Sequence, residues 1–168
     1  MGVLINKADF VGTFALSKSI SDTIVPFITR HEARYLRQLL GVELYILFKA
    51  DLTPLQVPTT GIYLTIYNEL YLDEDYHPIQ SEGMKTMLLG FIWWEYVKAT
   101  KYKATDTGVV VNSQEVSRGA GWDEGFIYGK YNDSVKTYQN IQEYILRVDP
   151  NAYPTFKGVQ KLLSGNLI

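Results

Sequence analysis

The sequence predicts a mainly α-helical single domain with one long β-hairpin or extended arm between its last two helices. Three observations predict it. Apolar residues recur at helical spacing over most of the chain. The run "MLLGFIWWEYV", Met87 to Val97, is apolar nearly all round, as in a helix buried at the centre of a bundle. The stretch "TDTGVVVNSQEVSRGAGWDEG", Thr105 to Gly125, separates two helical patterns and is too long for a turn. At 168 residues the chain is long enough for one domain with its own core. The expected layout is one domain, 1–168, with a helical body at 21–103 and 126–147, an arm at 105–125 and a tail at 149–168.

Taken in order, residues 1 to 28 show weak periodicity. Ser21 to Ile28 fits a short helix only if Pro26 sits in its first turn. "TRHE" reads as a capping box, with Thr29 as N-cap and Glu32 three residues on. Leu36, Leu39, Leu40, Leu44, Leu47 and Phe48 continue this helix, and Gly41 breaks it so that Val42 to Lys49 leaves at an angle. "DLTPLQVPTTG" is a loop, with two prolines within five residues. "IYLTIYNELYL" reads as a third helix, although its alternation also allows a strand. "DEDYHP" is a turn. Ser81 and Glu82 open a long helix through about Lys103, whose far end, "KATKYKAT", is polar and basic. The last helix spans about Phe126 to Leu146. Tyr131, Val135, Tyr138, Ile141 and Ile145 form its apolar stripe, opposite Asn132, Asp133, Lys136, Gln139, Asn140 and Glu143. In the tail, "FKGVQKLL" has room for one helical turn or more. The expected core is Leu36, Leu40, Leu44, Leu88, Phe91, Ile92, Trp94, Tyr138, Ile141 and Ile145.

The totals exclude several classes of function. Net charge is -2, so a protein that coats nucleic acid through a basic surface is not expected. No cysteine is present, which rules out disulfides, thiolate metal sites and cysteine nucleophiles. The two histidines, His31 and His77, lie far apart, so no histidine-rich metal site is expected. "MGVLINKADF" lacks a secretory h-region, and Asn6 stands where a myristoylation signal wants Ser or Thr. Met84 to Val97 is broken by Gly90 and Glu95 and falls short of the roughly 20 apolar residues that span a bilayer, so no membrane partner is expected. The 13 tyrosines are unusual. Their rings and polar tips suit either a tyrosine-rich core and rim or a large subunit interface.

Few residues invite a chemical reading. Asp73, Glu74, Asp75 and His77 cluster, but their spacing matches no calcium loop, and a solvated acidic turn accounts for them. Glu95 sits in the most apolar helix, where burial can raise a carboxyl pKa. Pairing with a basic neighbour is the commoner outcome. Arg30, Arg34 and Arg37 share a helical face at i, i+4 and i+7. Such a stripe is either a solvated face paired with local acids or a surface for phosphates or an acidic partner. "GAG" at Gly119 to Gly121 lacks the Lys-Ser/Thr of a phosphate loop, and no nucleophile elbow occurs. No catalytic residue, metal or cofactor is expected. The valines at 109–111 need somewhere to go. They either fold back on their own domain or dock on another copy.

Three ordered stretches resemble a known family. They are "LINKADFVGTFALSKSISDTIVPFITRHEARYLRQLLGVELYILF", with Ile28, Ala33, Leu36, Leu39, Leu40, Gly41 and Tyr45; "FIWWEYVKATKYKATDTGVVVNSQEVS", with Thr107, Gly108 and Val109; and "YNDSVKTYQNIQEYIL". The chain resembles the head–tail connector (adaptor, or head-completion) proteins of tailed bacteriophages, in particular the group carried by phages of Bacteroides-type hosts. "RGAGWDEG" and the tail after Asp149 have no counterpart in that pattern. The resemblance implies an adaptor fold and a structural, non-enzymatic virion protein made in the bacterial host cytoplasm. It implies a homo-oligomeric ring, typically of twelve copies, in the virion neck beneath the portal protein. The ring extends the channel for passing double-stranded DNA and gives the tail or a further neck protein its docking surface. On that reading Val109, Val110, Val111, Val116 and Trp122 belong to a subunit-interface arm, and Arg30, Arg34 and Arg37 face an acidic partner. The alternatives are another neck or tail-completion or stopper ring protein, or a small enzyme or regulatory protein using Asp73, Asp75, His77 or Glu95.

Overall fold

A computed structural model describes residues 4–16, 22–73, 78–105, 108–111, 124–148, 151 and 153–158. The chain is mainly α. Two 3-10 turns, Lys7–Asp9 and Gly12–Phe14, lead into α1 (Val25–Asp51) and α2 (Gly61–Tyr67). Strands β1 (Leu70–Leu72) and β2 (Ile79–Ser81) precede α3 (Gly83–Lys101). Strands β3 (Tyr102–Thr105) and β4 (Gly108–Val111) follow it, and α4 (Glu124–Val148) is the last helix.

Helix α3 occupies the centre, as its all-round apolarity requires. Met84, Met87, Leu88, Phe91, Ile92 and Trp93 are all fully buried. It lies between α1 and α4 and runs antiparallel to both. Tyr35 of α1 stacks on Phe91 with ring centroids 4.4 Å apart, while Arg34 reaches Glu95. On the other side Trp94 meets Tyr131, and Gly90 lies against Ser134. Gly90 is there because α4 leaves no room: a Cβ would stand 1.9 Å from the Ser134 hydroxyl. The stripe expected on α4 buries Val135, Tyr138, Ile141 and Ile145, with Tyr131 half-buried. Two α4 side chains also reach α1 carbonyls: the Tyr138 hydroxyl donates to Gln38 at 2.7 Å and the Gln142 amide to Leu39 at 3.1 Å.

Gly41 adopts φ 73°, ψ 170° inside α1 and kinks it, as expected from the sequence. Other expectations need correction. Helix α1 opens at Val25, with Pro26 in its first turn, where a missing N–H costs nothing. Thr29 is therefore inside the helix, and its hydroxyl donates to the Val25 carbonyl at 3.2 Å. Glu32 closes no capping box. It is buried, and its carboxylate accepts the Ile5 N–H at 3.1 Å, tying down the N-terminal lead. That lead is irregular but packed, with Leu4, Ile5 and Phe10 all buried.

The helix expected through "IYLTIYNELYL" stops at Tyr67. Leu70 to Leu72 pair antiparallel with Ile79 to Ser81, Leu70 opposite Ser81. The alternating pattern wins here because it buries Leu70 and exposes Tyr71. Helix α3 ends at Lys101, two residues short of the expected Lys103, and starts after Ser81, whose hydroxyl accepts the Gly83 N–H. Nine of the ten expected core residues are buried, and the exception is Trp94. Its neighbour Trp93 takes the interior, while Trp94 lies half-buried under the Lys98 ammonium. Two adjacent indoles point about 100° apart on a helix, so both cannot face the same core.

Candidate functional site

The charged residues singled out on α1 and α3 meet in one place. Glu95 projects from α3 toward α1. Its Oε1 accepts from the Arg34 guanidinium at 2.5 Å and from the Tyr35 hydroxyl at 2.9 Å. His31 Nδ1 lies 3.8 Å away, beyond hydrogen-bond reach, and is buried with no hydrogen-bond partner among the described residues. Burial pushes the Glu95 carboxyl up, but the hydrogen bonds from Arg34 and Tyr35 and the adjacent positive charge outweigh it, so its pKa falls below the ordinary value. Burial also holds the His31 imidazole below its usual range; Glu95 opposes this, and Arg34 and Arg30 add to it. The same burial, with Glu95 alongside, drives the Tyr35 phenol well above its usual range.

Within this cluster Arg34 and Glu95 form a hydrogen-bonded ion pair, and aromatic rings pack around it. Phe27 stacks on His31 at 6.0 Å, and Tyr35 stacks on Phe91. A general acid needs a raised carboxyl pKa and a cleft in which to meet substrate. Glu95 has neither and serves to tie α1 to α3. Of the acidic turn, Asp73 is exposed, and Glu74, Asp75 and His77 lie outside the described residues. Among the described residues no group of three carboxylate or imidazole side chains could hold a metal, and no helix is long and apolar enough to cross a membrane.

The basic stripe divides. Arg34 is committed to Glu95 and lies 4.6 Å over the Tyr35 ring. Arg37 lies 5.5 Å over Tyr45, and Arg30 faces solvent. A cleft of about 180 Å³ opens between the second 3-10 turn, α3 and α4, lined by Thr13, Phe14, Glu82, Thr86, Lys130 and Asp133 among others. Lys130 lies over the Phe14 and Phe126 rings, and Lys136 stands 3.9 Å from Asp133.

The arm expected between the last two helices begins as a β-hairpin. Tyr102 to Thr105 pair antiparallel with Gly108 to Val111, so Val109, Val110 and Val111 all stand on β4, opposite Ala104, Lys103 and Tyr102. The two strands form a sheet of their own. Val116 and Trp122 lie outside the described residues.

The sequence reading missed a surface on the second half of α1, the loop after it, and α2. Val42, Ile46, Leu47, Leu55, Val57 and Leu64 are exposed there, half of the twelve exposed large hydrophobic residues among those described. Leu55 is 86% exposed at the tip of the loop. The available signal was absence of charge: no charged side chain occurs from Leu52 to Asn68.

Comparison with family models, with curated proteins and with solved structures found no match.

Proposed function

We propose that this chain is a structural subunit of a tailed-phage neck, forming a ring between portal and tail that extends the DNA channel and offers a tail-docking surface. The observation that carries the reading is the β3–β4 hairpin. Among the described strands it forms, between α3 and α4, a two-stranded sheet of its own that carries three successive valines. An isolated two-stranded hairpin is marginal in water, and its apolar residues gain most by docking on another chain. The ordered sequence resemblance supplies the setting. Subunits that contact heterologously and close by rotation form rings. The net charge of -2 suits a channel through which DNA slides without being held. The role is structural: Glu95, the most enzyme-like carboxylate of the sequence, is consumed by Arg34 and Tyr35.

The test is made on the native source. DNA-filled particles are purified on a density gradient, and the chain is quantified by mass spectrometry against the portal protein. A near-equal ratio is the expected result. Absence from particles, with the chain free in the lysate, overturns the neck assignment. A stopper or tail-completion ring would be told apart by its copy number and its distance from the portal.

A further inference from the structure

The exposed aliphatic residues around Leu55 stand on a rigid mount. The Asp51 carboxylate, at the end of α1, accepts from the backbone N–H groups of Thr59 and Thr60 at 2.7 and 2.8 Å and from their hydroxyls at 2.8 and 2.5 Å. These hydrogen bonds, led by those of Thr60, lower its pKa to about 2. Within the loop, Gln56 N–H donates to the Thr53 carbonyl at 2.8 Å, and Thr53 N–H donates to Val57 at 2.9 Å. Gln56 holds φ 61°, a left-handed conformation unusual for a side-chain-bearing residue, which persists only where its surroundings fix it. An exposed leucine on a fixed turn needs little further ordering to bind. From Leu52 to Asn68 there is no charge to desolvate, and loss of charge is what marks the centre of an interface.

The occupant has to present an apolar, uncharged segment. Strand β4 fits. Residues 107–114, "TGVVVNSQ", carry no charge, and among the described strands β4 pairs only with β3. The hairpin cannot serve its own chain in this way. Helices α1 and α3 are antiparallel, so the Leu55 loop lies at the end where α3 begins, and the hairpin leaves where α3 ends. Those ends are ~27 Å apart at 1.5 Å per residue. A four-residue strand reaches only ~13 Å.

We propose that the β3–β4 hairpin of one copy docks on the charge-free surface around Leu55 and Leu64 of a second copy. The assignment rests on the reading of the hairpin as an intersubunit arm and names the surface that receives it. The two surfaces lie at opposite ends of the molecule, so the contact is head-to-tail and repeats from copy to copy, as a ring requires.

The chain contains no cysteine, so introduced thiols report only the intended pair. Full-length Leu55→Cys is mixed with full-length Val109→Cys or Val110→Cys and oxidised mildly, and heterodimers are counted by mass. Neighbouring strand residues point to opposite faces. One of the two valine variants should therefore cross-link to Leu55→Cys roughly tenfold above the control pair Leu55→Cys with Val11→Cys, because docking raises the local concentration of the two thiols. Adding Leu64→Glu to the Leu55→Cys chain should erase that excess without changing its circular dichroism. Yields equal to the control for both valine variants overturn the proposal. Near-equal abundance with the portal combined with control-level cross-linking would leave the neck reading standing and remove this contact. Specific cross-linking of a chain absent from particles would do the reverse.

Discussion

The first half of α1 and the stretch from Val42 to Leu64 treat water in opposite ways. In the first half, polar side chains are committed to partners within the fold. Glu32 meets the Ile5 backbone, and Arg34 and Tyr35 converge on Glu95. In the second stretch, side chains that water solvates poorly are turned outward on a loop fixed by Asp51. Buried polar groups need exact partners, so the first region is a device for holding one arrangement of α1 on α3. Exposed aliphatic groups gain by being covered, and on the proposed contact the second region is the surface that receives the hairpin of another copy. The contrast sets a centre held by its own partners against an end assigned to a second copy.

Substitutions break the contrast in graded ways. The largest expected effect is at the centre. Phe91→Ala removes the ring that stacks on Tyr35 and meets the edges of Tyr131 and Tyr138, and should cost about 3–5 kcal/mol, read by urea unfolding. Next comes Gly90→Ala. Its methyl group would displace the Ser134 hydroxyl, which otherwise donates to the Lys130 carbonyl, so a loss of about 1–3 kcal/mol is expected. Adding Ser134→Gly should restore part of that loss, and no restoration would refute the close approach of α3 and α4. Glu95→Gln keeps the shape but withdraws the charge from Arg34, with a loss of about 1–3 kcal/mol and a weakened acid response.

The pH dependence sharpens the same point. His31 binds protons more weakly in the folded chain than in the unfolded one, so stability should fall as pH drops below 6.5, its ordinary value. Glu95, with a lowered folded pKa, adds a further loss below 4.5. Glu32 works in the opposite sense. Burial raises its pKa against the hydrogen bonds from Leu4 and Ile5, so its contribution is kept in acid and lost as pH rises through its folded pKa. His31→Gln should flatten the fall between pH 6.5 and 5 in thermal unfolding. An unchanged slope would show that His31 is not the group responsible.

At the other end the expected effect on stability is the smallest. Leu55→Asp should change unfolding free energy by less than about 0.5 kcal/mol, since Leu55 is 86% exposed. On the proposed contact its effect falls on association, because it adds a charge where residues 52–68 carry none.

Much of the fold was legible because its signals are local. The periods of α1, α3 and α4 and the Gly41 kink follow from neighbours in sequence. Errors arose where a distant partner decided the outcome. Glu32 reads as a cap until Ile5 arrives at its carboxylate, and Trp94 reads as core until Trp93 is seen to occupy that position. The Arg30, Arg34 and Arg37 stripe reads as one surface, but Glu95, some sixty residues away, claims its middle member. The 42–64 surface was missed because Leu47, Ile46 and Val42 fit an amphipathic helix. Only burial shows that they face outward. The lack of charge from Leu52 to Asn68 was visible, but its meaning depends on which of those residues are exposed.

The contrast between the two regions is tested most directly by amide hydrogen exchange, comparing the free chain with the same chain in neck complexes isolated from particles. The expected result is new protection on assembly at residues 52–64 and 108–111, with exchange at the centre of α3 slow and unchanged in both states. Unchanged exchange at 52–64 and 108–111, with new protection confined to other surfaces, would contradict it.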